Sequence, residues 1–362
     1  MVNRVAISLI SIGIAVFTGW RVIPTLLRWK PHVCQDISGI DGPPLRLVTG
    51  DEFIRLDIEG FDNFVCTLTY FFKHCQGIPS EIIDRLTNSL IVSCVVGMYL
   101  FLSIESTRKI AKGFCAWPTI TGTLFQIIGI GLIIPALWLP SFFYSYKQPL
   151  CNPRQRRMAL DDGTLGSVVL LGIIAIGVLI VMSTFLALSV TQGYIFQVIF
   201  MVFQFFPSIY PLLWPLVRVV FPNPTLQPGT ETSSIVASAI FRFVALVLTL
   251  HHYVAFVTPL LLIENKSEAI MTWIKFALEI PTNSDHIPQW FLLYDAFSVL
   301  LCLSIIVFYE NAASHTIFHG VVTLLRFIIM TVIISPGAAF CLFCATREDA
   351  IRRIHFSKIK NL

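Results

Sequence analysis

Apolar runs long enough to cross a bilayer dominate this sequence and leave few folds open to it. About eight occur, at residues 5–27, 87–104, 116–144, 164–189, 194–217, 234–263, 290–309 and 316–344. A membrane helix needs about 20 such residues. Within lipid every backbone N–H and C=O must be paired inside the protein, so runs of this length fold as helices. Only 13% of the 362 residues are charged, against roughly 25% in a soluble domain. The expected architecture is all-α: a polytopic transmembrane helix bundle of about eight spans, forming one membrane-embedded domain over residues 1–362.

The first run follows a basic start at Arg4 and lacks a small-residue cleavage site, so it is expected to stay as a signal anchor. Two runs are rich in proline. Pro207, Pro211 and Pro215 recur every four residues along one helical face, and Pro118, Pro135 and Pro140 interrupt the third run. Each removes a backbone hydrogen bond, predicting kinked or partly unwound helices. Such helices can line a cavity, although prolines also occur in ordinary membrane helices. Cys94, Cys302, Cys341 and Cys344 fall in apolar runs and read as small core side chains. Cys34, Cys66, Cys75 and Cys151 lie outside the runs or at their edges, leaving a lumenal disulfide open with no connectivity assigned.

Lysine and arginine in short loops set orientation. Arg4, the loop with Arg108, Lys109 and Lys112, the loop with Lys266 and Lys275, and the tail fall on one side by counting spans. This bias places both termini in the cytosol, with residues 28–86 as a lumenal or interfacial loop and 345–362 as a basic cytosolic tail. Lys358 and Lys360 stand where a dilysine retrieval signal for the endoplasmic reticulum has its lysines. One feature disagrees: Asn265-Lys-Ser is a glycosylation sequon in a loop assigned to the cytosol.

The longest polar region carries Asp51, Glu52, Asp57, Glu59 and Asp62, and then turns abruptly aromatic. Residues 61–72 are too short to span and predict an interfacial or re-entrant helix that lowers the acidic cluster toward the bundle mouth. A carboxyl beside apolar rings is desolvated, its pKa rises, and it becomes a general acid. The alternative is a solvated acidic face with Asp62 capping the helix N-terminus.

Inside the runs, Asp295 is the most unusual residue. A charge at the bilayer centre costs roughly 2.5–3.5 kcal/mol, so it faces a cavity or a partner. Asp295 suits a proton donor in an apolar pocket; it equally suits a buried carboxylate bonded to a tyrosine hydroxyl or paired with Arg242. His315, His319 and Arg326 share one helical face, and Glu310 could reach that face across a short turn to form a Glu–Arg or Glu–His pair.

Some functions are disfavoured. No basic stripe or zinc-finger spacing points to nucleic acid. His315 and His319 have metal-ligand spacing, but His251-His252 is the only other histidine cluster, and no metal or other cofactor is expected. A magnesium-dependent prenyltransferase needs paired aspartate-rich motifs, whereas Asp161-Asp162 stands alone.

Gly60-Phe-Asp-Asn-Phe with Phe71-Phe72, and Trp290-Phe-Leu-Leu-Tyr-Asp295, resemble patterns in fungal integral-membrane terpene cyclases of the ascochlorin and ascofuranone meroterpenoid type. The resemblance implies a lipophilic prenylated aromatic substrate that enters from the lipid bilayer. An acid protonates its epoxide or alkene, and the cation is captured within the molecule. It places functional acids on Asp62 and Asp295. Glu59 and Glu310 match no motif of that family and stand behind these two as further acid candidates. The competing expectation is a transporter of a lipophilic metabolite or ion, which buried ionisable residues and kinked spans also fit.

Overall fold

The computed structural model describes residues 3–29, 82–108, 110–145, 231–283 and 286–356, with the single positions 64, 66, 67, 71 and 177. Every regular element among them is helical. The helices are α1 (Arg4–Leu26), α2 (Ile82–Ser106), α3 (Pro118–Ile128), α4 (Ile130–Ser145), α5 (Glu231–His252), α6 (Lys266–Leu278), α7 (Ile287–Ser314), α8 (Ile317–Ile334) and α9 (Pro336–Phe356). A π-turn at Tyr253–Val257 carries α5 onward to Leu262.

Five helices are long and apolar enough to cross a membrane: α1, α2, α5 with its extension, α7 and α8. They match five of the eight expected runs. The runs at 164–189 and 194–217, with Pro207, Pro211 and Pro215, lie outside the described residues. The third run is not a span. It enters as α3, reverses at Gly129 (φ 116°, ψ 135°) and returns as α4. Lys112 N–H donates to Ser145 Oγ at 2.9 Å, so the hairpin begins and ends at the same end of the bundle. Gly129 permits this because its backbone lies in a region that side chains rarely tolerate.

That same end holds Arg4, Arg108, Lys112 and the later half of α9, and is called the basic end below. Phe143 of α4 meets Tyr309 of α7 there edge to face, their ring centroids 4.7 Å apart. The opposite end gathers the end of α1, the starts of α2 and α7, and α6. Arg21 donates to Leu278 O at 2.9 Å, and Trp273 donates to Thr87 at 3.2 Å. The loop with Lys266 and Lys275 therefore lies opposite both α1's start and α9's later half, a correction to its expected side. The discrepancy arises because run 116–144 turns back instead of crossing, which shifts the span count ahead of this loop; the division of the eighth run restores it for the tail. Asn265, exposed at the start of α6, moves with that loop.

The eighth run divides as well. Ser335 takes a positive φ of 91° between α8 and α9. Ser93 of α2 accepts from Gly337 N at 2.9 Å and donates to Ser335 Oγ at 2.8 Å, so it meets the start of α9 from a neighbouring helix. A Cβ on Gly97 would sit 2.9 Å from Gly337 Cα. The two glycines thus let α2 and α9 cross with backbones in contact.

Prolines leave carbonyls without their helical donors, and neighbouring helices supply replacements. Pro135 cannot donate to Gly131 O; Ser298 of α7 does so at 2.5 Å. Leu139 N–H goes to Ile134 O across a π-turn and Pro140 has no N–H, so Pro135 O accepts from Ser11 of α1 at 2.5 Å. Pro336 cannot serve Val332 O, and His252 Nε2 lies 3.2 Å from it. A carbonyl only accepts, which places the His252 proton on Nε2. In lipid no water can do this work, so the pairing decides how the bundle closes.

Candidate functional site

Asp295 sits at the tip of the re-entrant hairpin. Its Oδ1 accepts from Gly131 N–H at 3.0 Å, and the Ile130 amide also donates to the carboxylate. Both amides belong to the first turn of α4, whose opening N–H groups have no partner within their own helix. Ser298, three residues on, holds Gly131 O, so α7 grips Gly131 on both polar groups. The fit is tight: a Cβ on Gly129 would lie 2.9 Å from Phe291 Cζ and 3.1 Å from Asp295 Oδ1.

Neither expected partner of Asp295 is used. The Tyr294 hydroxyl accepts from Arg21 Nη2 at 3.0 Å and donates to Ala277 O at 3.1 Å. Arg242 pairs with Asp349 at 2.5 Å. The sequence could not show that a backbone break, formed by residues more than 160 positions away, would be what this carboxylate answers.

Aromatic rings pack beside the hairpin tip, where Phe291 meets Gly129. Trp290, Phe291 and Val22 form a small core against which Phe71 and Tyr294 pack. Phe71 stands 5.5 Å, centroid to centroid, from both Trp29 and Phe291. Arg21 lies 5.6 Å over the Trp290 ring. Phe64, Cys66, Thr67 and Phe71 are helical, and Cys66 is buried and disulfide-bonded. Asp62 and Glu59 lie outside the described residues.

Glu310 belongs to a different assembly at the basic end. Arg347 donates to it at 3.4 Å and to Glu105 at 2.6 Å. Arg108 donates to Glu105 at 2.9 Å and also to Glu348. Three carboxylates and two guanidiniums from α2, α7, α9 and the residues following α2 thus share one buried site. Burial alone opposes the charge on Arg347, but Glu105, Glu310 and Glu348 outweigh it and raise its pKa above the ordinary value. The expected pairing of Glu310 with the His315, His319 and Arg326 face does not form; that face is exposed.

Sequence reading passed over this network because Arg108 looked like a loop residue and Arg347 like a tail residue. The available signal was spacing: Glu105 and Arg108 stand three apart at a helix end, and Arg347-Glu348 interrupt a helical pattern. Among the described residues no three His, Cys, Asp or Glu side chains converge as a metal site. Cys341 and Cys344, spaced as CxxC, are both free and buried.

No curated protein and no solved structure matches the chain. A family model, the CtvD domain, matches residues 52–352. That stretch covers the acidic segment, the hairpin, Asp295 and the ion network, and by it the chain belongs to the CtvD family, a family of fungal secondary metabolism.

Proposed function

We propose that the protein is a membrane-bound terpene cyclase that acts on an epoxidised or alkenyl prenyl chain carried on an aromatic core. The observation that carries this reading is Asp295. It is 4% exposed, fixed by backbone amides at a helix break, and set on the same helix face as Phe291, beside the aromatic cluster of Trp290, Tyr294 and Phe71. Family membership and the resemblance of both sequence motifs to integral-membrane cyclases support it.

The chemistry needs one acid, a water-poor site and surfaces that stabilise positive charge. A proton passes to the epoxide oxygen, the C–O bond breaks, and a hydroxyl and a carbocation result. A neighbouring double bond or oxygen attacks the cation, and loss of a proton closes the sequence with the substrate's mass unchanged. Aromatic faces stabilise such cations by about 2 kcal/mol or more when desolvated. Asp295 is held at Oδ1, which suits orientation and stabilisation of the cation. Asp62, in the segment leading to Phe71, is assigned proton delivery, with Glu59 beside it in sequence. Glu310 is assigned to the ion network. The endoplasmic reticulum membrane, with the basic end toward the cytosol, is the proposed location.

One observation favours a second reading. A helix broken inside the bundle with a carboxylate at the break is also a device of carriers. Membranes from a host expressing the chain, given an epoxyfarnesyl-aryl substrate, separate the two. A product of unchanged mass, absent with vector membranes, supports cyclisation. Substrate-dependent flux into sealed vesicles without conversion supports transport and contradicts cyclisation.

A further inference from the structure

His319 and Arg326 on the outer face of α8, with His315 in the turn just before it, form a track. All three are exposed, and the two imidazole rings lie 4.6 Å apart. Around Arg326 the surface is lipid-facing: Val322, Leu325 and Ile329 are 46%, 56% and 60% exposed. Arg326 stands about midway along this 18-residue helix, where a guanidinium facing lipid is costly without a counter-charge. Among the described residues no carboxylate supplies one. Glu105, Glu310 and Glu348 are engaged by Arg108 and Arg347, and Asp349 by Arg242 and Arg352.

Helical side chains lean toward the helix N-terminus, so Arg326 climbs toward His319, His315 and the basic end. The start of α8 adds the partial positive charge of its free amides. The Arg326 charge, the ring N–H donors of two histidines and a helix start thus gather along the half of α8 nearer the basic end. The basic end is the one that the charge rule turns toward the leaflet rich in anionic lipid. Among the described residues a second copy of the chain offers no complement to the track: the exposed acids Glu264, Glu268 and Glu279 lie on or beside α6, at the opposite end.

We propose that this track is a binding site for the acidic headgroup of a bilayer phospholipid, seated with its phosphate between the histidines and Arg326. The proposal is independent of the cyclase reading. Its test uses the full chain in nanodiscs of phosphatidylcholine containing about one part in five phosphatidylserine, followed by detergent extraction and mass spectrometry of retained lipid. Wild type is expected to retain phosphatidylserine selectively, R326Q to lose about fivefold of that selectivity, and R326K to keep most of it. Equal retention by wild type and an R326Q protein of matched thermal stability overturns the proposal. Displacement of the lipid by millimolar inorganic phosphate overturns the lipid as occupant, and crosslinking of two chains across α8 overturns it in favour of a second copy.

Discussion

Helix α7 carries two buried carboxylates, and they are solvated in opposite ways. Asp295 and Glu310 stand 15 residues apart, roughly 22 Å along the axis at about 1.5 Å per residue. Their exposures are nearly equal, 4% and 6%. Glu310 is answered by a full charge, Arg347, inside a network of three carboxylates and two guanidiniums. Among the described residues Asp295 is answered by the partial charges of two amides at a helix start and by no cation. Burial therefore does not by itself separate a structural carboxylate from a chemical one. What separates them is whether a counter-ion is already present. At the basic end the charges engage one another and tie three chain segments together. At the hairpin tip one acidic group lies among aromatic rings with no cation bonded to it, and a carbocation would find its complement there.

The comparison can be broken most easily at the network. Arg347→Ala leaves Glu105 and Glu310 without their shared guanidinium, and removing one partner of a buried pair typically costs about 3–5 kcal/mol. The expected result is loss of folded protein from membranes, read by size-exclusion profile and thermal midpoint. Turnover per folded molecule should remain near wild type, because the network is remote from the hairpin tip.

At the tip the structural role of Asp295 can be separated from its proposed chemical one. Asp295→Ala strands the amides of α4's first turn, which costs about 1–3 kcal/mol. Asp295→Asn keeps an oxygen to accept from Gly131 while removing the charge, so its thermal midpoint should stay close to wild type. Gly129→Ala tests the reversal itself. At φ 116° an alanine is strained by roughly 1–3 kcal/mol, and its Cβ meets Phe291. A lowered midpoint is expected, together with reduced turnover as the tip shifts against Asp295.

The smallest effects belong to the carbonyl partners. Ser298→Ala and Ser11→Ala each leave one buried carbonyl unpaired, and each should cost about 1 kcal/mol with little change in turnover. Measured midpoints that fall as far as that of Arg347→Ala would mean the hairpin, not the network, holds the bundle together.

Much of this was legible in the sequence, and the failures are instructive. Pro118, Pro135 and Pro140 mark a broken helix from composition alone. Nothing local shows that the chain reverses there rather than kinks, because that depends on Ser11, Asp295 and Ser298 arriving from elsewhere. The eight-run count treated residues 116–144 as crossing, and one wrong parity moved the loop of Lys266 and Lys275 to the wrong end. Asp295 stood out because a charge in an apolar run is rare. Arg347 did not, because a basic residue after the last apolar run looks like any solvated tail. Asp62 rests on the same motif resemblance as Asp295, and Glu59 on its place in the acidic cluster; both lie outside the described residues.

The most direct test of the account compares Asp295→Asn, Asp295→Ala and wild type as full-length protein in nanodiscs, with an epoxyprenyl-aryl substrate and mass-resolved products. The account predicts mass-conserving conversion by wild type. It also predicts a loss of about 100-fold or more in Asp295→Asn at an unchanged thermal midpoint, with both activity and midpoint falling in Asp295→Ala. Wild-type turnover by Asp295→Asn would contradict it, leaving Asp295 as the cap of a broken helix and the chemistry elsewhere.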